Sequence, residues 1–171
     1  MQPDPDVTRV PTIFDAVRTY IQKNGFVSVV SGLGGTLTIW LLAQATETFE
    51  QLLLIAPFGA SCVLLFALPQ SPLARPRNVI GGHFLSALVG VTVFALMGDG
   101  ALACAIGVGC AIAVMQFTGT LHPPAGADPL VIILTGAGWS FLIMPILLGA
   151  IGLVIMAGLY HRFISKRPWP V

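Results

Sequence analysis

Two ionisable side chains lie six positions apart in an otherwise apolar stretch. The segment TLHPPAGADPLVIIL, Thr120 to Leu134, carries His122 and Asp128 among three prolines and a glycine. Asp128 is the only acidic residue after Asp99. A carboxyl group at membrane depth costs about 2.5 kcal/mol or more, so its presence points first to function. A protonated Asp128 can donate a hydrogen bond to an anion and carry a proton. His122, whose unperturbed pKa lies near neutrality, can relay that proton. The less demanding readings are a first-turn acid stabilising its own helix and a histidine bonded locally. Ser61 or Ser86 with His122 and Asp128 suggests no hydrolase by spacing. HExxH, GxSxG and P-loop patterns are absent, so neither an enzyme nor a metal or cofactor site is expected.

A second stretch matches the first. In APFGASCVLLFAL, Ala56 to Leu68, Pro57 aligns with Pro124, Gly59 with Gly126, Ala60 with Ala127 and Ser61 with Asp128, always 67 positions apart. Proline resists a helix interior but fits a first turn. Half-helices are therefore expected to begin near Phe58–Ser61 and near Ala125–Asp128. Glycine lets the backbone bend there and lets a ligand come close. Two helix starts, each with free N–H groups and about half a positive charge, would make a small-anion site without lysine or arginine. The expected substrate-binding residues are Pro57, Phe58, Gly59, Ala60, Ser61, His122, Pro124, Ala125, Gly126, Ala127 and Asp128, with Asp128 and His122 also coupling protons. The alternative is that these prolines are kinks and the glycines are packing points.

Arg75, Arg77 and Asn78, with His83 beyond them, can gather anions at a mouth. Arg75 and Arg77 also suit plain anchoring at a cytoplasmic face. Trp40, Trp139, Trp169 and Tyr160 read as interfacial residues, and His161 with them. Cys62, Cys104 and Cys110 lie in apolar runs without a CxxC and read as packing residues.

The elements that must position these groups follow from composition. The chain has 171 residues, 56% hydrophobic and 9% charged, with net charge +1. Its mean hydropathy is +0.89. Soluble domains carry about 25% charged residues, so lipid is the expected solvent. The near-neutral balance argues against a nucleic-acid partner. No charge lies between Phe26 and Thr46, between Gln51 and Ala74, or between Pro129 and Tyr160. Six apolar segments result: 26–45, 51–68, 79–97, 101–118, 121–136 and 139–160.

Residues 1–10 read as disordered. They lack a signal peptide's basic region and cleavage site. Pro11–Lys23 reads as an amphipathic interfacial helix ended by Asn24-Gly25. The organisation is thus 1–25 tail and interfacial helix, 26–161 transmembrane unit and 162–171 basic tail. Six crossings put all eight lysines and arginines on one side, with both termini cytoplasmic. The fold class is an all-α polytopic membrane protein. Its six segments form a 3+3 inverted repeat, with segments two and five broken or re-entrant.

GTLHPPAGADPL (119–130) and PFGASCVLLFALPQSPLARPRNVIGGHFLSALVGV, Pro57 to Val91, resemble the two characteristic regions of the HPP family of small integral membrane proteins. The likeness spans about Phe26 to Tyr160. It implies a membrane protein, commonly described with four transmembrane helices, fewer than the six segments counted above. Some members, in cyanobacteria and plastids, are associated with nitrite transport. A CBS domain found in some relatives is not present in this sequence, so nucleotide regulation is not implied. The expected function is transport of a small inorganic anion, nitrite first, across a bacterial inner membrane by a homo-oligomer, a dimer. The alternative is a non-transporting scaffold packed through small-residue faces such as Ala101, Ala105, Gly109 and Ala113.

Overall fold

A computed structural model describes residues 12–50 and 52–170. The reading of residues 1–10 as disordered falls outside them. The described chain is helical, with six α-helices: α1 Ile13–Phe49, α2 Ala56–Cys62, α3 Pro76–Met97, α4 Ala101–Thr118, α5 Asp128–Thr135 and α6 Leu148–Tyr160. Single π-helical turns extend α2 over Val63–Ala67 and α6 over His161–Ser165, and a 3₁₀ turn, Pro123–Ala127, leads into α5. Four helical stretches are long and apolar enough to cross a bilayer: Ile13–Phe49, Pro76–Met97, Ala101–Thr118 and Trp139–Ser165. Segments two and five are broken, as expected from their prolines. Each has an extended lead-in followed by a short helix.

The first helix corrects one boundary. Asn24-Gly25 does not end a helix; α1 runs through it for 37 residues. Asn24 Nδ2 donates to the Tyr20 carbonyl at 3.1 Å, and Ser28 Oγ donates to the Asn24 carbonyl at 3.0 Å, so both side chains serve the helix they sit in. At 1.5 Å per residue, α1 spans about 55 Å, well beyond the hydrocarbon thickness of about 30 Å. Thr12 and Asp15 close its start with reciprocal cap hydrogen bonds. Only Ser31, Gly34, Thr38 and Leu42 are buried, a narrow seam at helical spacing.

Each broken segment lies along one long helix. A Cβ on Gly149, at the start of α6, would lie 2.8 Å from the Leu53 carbonyl oxygen, and at the other end His161 Nε2 donates to the Leu65 carbonyl at 2.8 Å. Segment two therefore follows α6 from end to end. Segment five follows α3, from Thr120 beside Gly81 and Gly82 to Gly136 beside Phe94. Gly34 of α1 packs against Phe66 and Tyr160, and Gly152 of α6 against Leu42, so α1 and α6 run antiparallel. Gln70 donates to the Pro168 carbonyl, and Trp169 Nε1 to the Ala74 carbonyl. The Arg75 loop thus lies beside the basic tail. Gly98 (φ 72°) and Gly100 (φ 120°) make the tight turn between α3 and α4 that their composition foretold.

Two residues expected at an interface are core residues instead. Tyr160 is buried and meets the Phe66 ring edge-on at 4.9 Å. His161 is buried, stacks near Phe66 and Trp169, and accepts from Ser165 Oγ at 2.8 Å through Nδ1. The Leu65 carbonyl is an end-of-helix acceptor that lipid cannot satisfy, so the imidazole takes that place. His161→Ala is expected to cost about 1–3 kcal/mol, read as a lower thermal midpoint in detergent. An unchanged midpoint would show that this end of the bundle draws nothing from the histidine. Trp40 and Trp139 are exposed on the outer surface.

Candidate functional site

The two broken segments meet α3 at a fully buried polar cluster. Ser61, on α2, places Oγ 2.9 Å from His83 Nε2 and 2.9 Å from His122 Nε2. His83, on α3, places its other nitrogen, Nδ1, 2.8 Å from Asp128 Oδ2. His122 Nδ1 lies 2.8 Å from the Leu73 carbonyl oxygen. All four side chains have 0% exposure. The aligned residues Ser61 and Asp128 thus flank the two nitrogens of one imidazole.

Local structure explains why these groups converge. Pro57 sits in the first turn of α2, which leaves Ser61 one turn further in. Pro123 and Pro124 open the 3₁₀ turn that carries the chain from His122 to Asp128, and Pro129 holds the first turn of α5. Ser86 Oγ donates to the Ala125 carbonyl at 2.6 Å and ties that turn to α3. Gly82 makes room for His122: a Cβ there would lie 2.7 Å from His122 Cβ and 2.8 Å from the Thr120 carbonyl oxygen. The Phe58 ring meets the His83 imidazole edge-on at 5.0 Å and shields it.

The hydrogen-bond partners fix the tautomers. A carbonyl can only accept, so His122 Nδ1 carries the hydrogen given to Leu73, and a neutral His122 accepts at Nε2. Ser61 is the donor within reach. Its alternative acceptor, the Pro57 carbonyl, is farther at 3.3 Å. With its hydrogen given to His122, Ser61 accepts from His83 Nε2. The last proton is shared between His83 Nδ1 and Asp128 Oδ2. Asp128 Oδ1 is the one buried side-chain polar atom without a partner among the described residues. A carbonyl-like oxygen tolerates that isolation better than half of a carboxylate does. The neutral arrangement therefore places the proton on Oδ2, donated to His83.

The expected site is partly rebuilt by this geometry. Asp128, His122 and Ser61 come together as the aligned stretches implied. His83 does not line a mouth; it is the centre of the cluster. Its signal was present as a histidine in an apolar helix, three positions before Ser86 and on the same buried face. Arg77 and Asn78 anchor the turn before segment five. Arg77 donates to the Thr118 carbonyl and Asn78 to the Leu121 carbonyl, both at 2.9 Å. Arg75 is exposed at the start of α3. The backbone is less available than expected. The Phe58 N–H donates to the Ile55 carbonyl and the Ala125 N–H to the His122 carbonyl, each at 3.0 Å, and prolines replace other first-turn donors. What converges at the breaks is side-chain chemistry. Gly59 and Gly126 have no atom within 4 Å of an added Cβ, while Ala60 is exposed and Ala127 half-buried. Pro57, Ala60, Pro124 and Ala127 line an open groove of about 600 Å³ between the two breaks. Among the described residues no group of histidine, cysteine and acidic side chains suits a metal ion.

Sequence comparison covers most of the described chain. The family model described as HPP, transmembrane region, matches residues 22–170. Two curated relatives come from Dictyostelium discoideum, and both are named only as transmembrane proteins. One is 44% identical over 126 residues, covering 69% of this chain and 44% of its own length. The other is 34% identical over 163 residues, covering 91% of this chain and 52% of its own. The chain thus spans about half the length of these relatives. No solved structure matches.

Proposed function

Because the chain belongs to the HPP family of integral membrane proteins, we propose that it moves a small inorganic anion, nitrite first, across a membrane with a proton carried by Asp128 and His122. The observation that carries this reading is the closed Asp128–His83–Ser61–His122 cluster, two ionisable chemistries held dry at the meeting of two broken segments. Such residues inside a membrane protein mark ion and proton pathways.

Reciprocal contacts support an internal repeat. Gly82 crowds the Thr120 carbonyl and Gly149 the Leu53 carbonyl; both members of the first pair lie 67 positions from those of the second. The bonds Phe58 to Ile55 and Ala125 to His122 are related by the same offset. The Phe66–Tyr160 contact has its counterpart in Ile133 and Val93, which share a small core cluster. Segment two runs antiparallel to α6 no more than segment five runs antiparallel to α3; each keeps its partner's direction. Exchange of contacts between halves is what a two-fold relation produces, and an inverted pair would place a substrate at the repeat boundary.

The test is nitrite uptake into proteoliposomes. Flux clearly above that of protein-free vesicles is expected, and flux equal to theirs, from protein shown to be folded, would defeat the reading. A specific observation favours a scaffold instead: Ala101, Ala105, Gly109 and Ala113 form an exposed small-residue stripe on α4, suited to close packing in a homo-oligomer such as a dimer. We assign no enzymatic turnover. Ser61, His83 and Asp128 stand in the order of a nucleophilic triad, but the Ser61 hydrogen is directed at His122 and the hydroxyl is wholly buried. We propose a bacterial plasma membrane with both termini cytoplasmic; the sidedness is supported by the Arg75 loop lying beside the basic tail.

A further inference from the structure

We propose that Ser61 and His83 are the transfer groups of a proton relay between Asp128 and His122, and that the Leu73 carbonyl sets its direction. The proposal rests on the transport reading of the same cluster and adds how the proton moves. In the resting arrangement Asp128 Oδ2–H donates to His83 Nδ1, His83 Nε2–H to Ser61 Oγ, Ser61 Oγ–H to His122 Nε2, and His122 Nδ1–H to Leu73. Each heavy-atom separation is between 2.8 and 2.9 Å. These are hydrogen-bond distances, the reach within which a proton can pass from one group to the next.

One concerted shift balances. His122 Nε2 takes the Ser61 proton, Ser61 takes the Nε2 proton of His83, and His83 Nδ1 takes the proton of Asp128. Three bonds to hydrogen break and three form. The net result is one proton moved from Asp128 to His122, leaving a carboxylate at one end and an imidazolium at the other. No oxidant or reductant is needed. The far end is fixed because His122 Nδ1 is held by a carbonyl, which cannot give a proton back. His122 can therefore receive only at Nε2, from Ser61. Leu73 belongs to the short turn Pro72–Ala74 beside the Arg75 loop, so the relay leads from the α3–α5 contact toward that face of the bundle. Gly82 and Phe58 exclude bulk that would part the imidazoles, whose centroids are 5.1 Å apart.

The experiment is solid-state NMR of ¹⁵N-histidine-labelled protein in bilayers without any anion, paired with proton entry into proteoliposomes. The expected spectrum has His122 protonated at Nδ1 and bare at Nε2, and His83 protonated at Nε2. Hydrogen on Nε2 of His122 and on Nδ1 of His83 in the resting protein would overturn the direction. Ser61→Ala is expected to lower anion-driven proton entry about a hundredfold, and Ser61→Thr, which keeps the hydroxyl, to restore most of it. Wild-type proton entry in Ser61→Ala would overturn the relay. The spectrum does not depend on the substrate, so failure of nitrite transport leaves the relay standing. Coupled nitrite flux in Ser61→Ala would remove the relay and leave the transporter.

Discussion

Asp128→Asn is expected to leave the protein folded and to cut proton coupling on the order of a hundredfold. An asparagine amide can donate to His83 Nδ1 from nitrogen, as the protonated carboxyl does from Oδ2, and its carbonyl can occupy the unpartnered Oδ1 position. The hydrogen-bond chain then stays intact but cannot release its terminal proton. Anion flux should persist at some level and lose its response to an imposed proton gradient. Asp128→Leu differs, because it strands His83 Nδ1 in a dry site. A buried group without its partner costs about 1–3 kcal/mol, so this variant should also melt earlier. If Asp128→Asn kept full gradient dependence, the carboxyl would be reduced to a first-turn acid of α5.

Gly82→Ala and Gly149→Ala should be among the most damaging small substitutions. At Gly82 the new methyl would meet His122 Cβ at 2.7 Å and the Thr120 carbonyl at 2.8 Å. At Gly149 it would overlap the Phe58 ring and lie 2.8 Å from the Leu53 carbonyl. Both neighbours include backbone, which cannot swing away. Overpacking of this kind costs about 1–3 kcal/mol, to be read as a fall in the thermal midpoint. Gly82→Ala carries a second effect, because moving His122 parts it from Ser61 and opens the relay. Gly59→Ala and Gly126→Ala are the controls. Nothing lies within 4 Å of a Cβ at either position, so their stability should match wild type. A Gly59→Ala variant that melts much earlier would contradict this packing.

Much of this arrangement was legible before any fold was known. The prolines around Pro57 and Pro124 announced broken segments, since the missing donor and fixed φ belong to a helix start rather than its interior. Asp128 and His122 stood out because ionisable groups are scarce in apolar runs. The 67-residue offset linked Ser61 to Asp128 and so selected the serine that matters. His83 was misplaced because its partners, Ser61 and Asp128, are 22 and 45 positions away, and no local spacing reports such a meeting. The free backbone donors were overestimated for a related reason. The turns at Phe58 and Ala125 close on their own carbonyls, which sequence alone does not reveal.

Asn24-Gly25 misled because a helix can run through such a pair, with Asn24 Nδ2 donating back to the Tyr20 carbonyl. Glycine inside a helix costs about 1 kcal/mol relative to alanine, a preference that tertiary and lipid contexts readily override. His161 and Tyr160 were read from their position at the end of an apolar run. The π-helical turn His161–Ser165 instead folds them onto Phe66 and the Trp169 indole.

We propose that the Asp128–His83–Ser61–His122 cluster couples a proton to the passage of a small anion. Simultaneous recording of proton and nitrite entry into proteoliposomes tests it most directly, with wild type and Asp128→Asn side by side. An inward proton gradient is expected to accelerate nitrite entry in wild type, protons to enter with the anion in fixed proportion, and both effects to fall on the order of a hundredfold in Asp128→Asn. Nitrite entry through folded protein that is identical in the two proteins, and indifferent to the gradient, would contradict it.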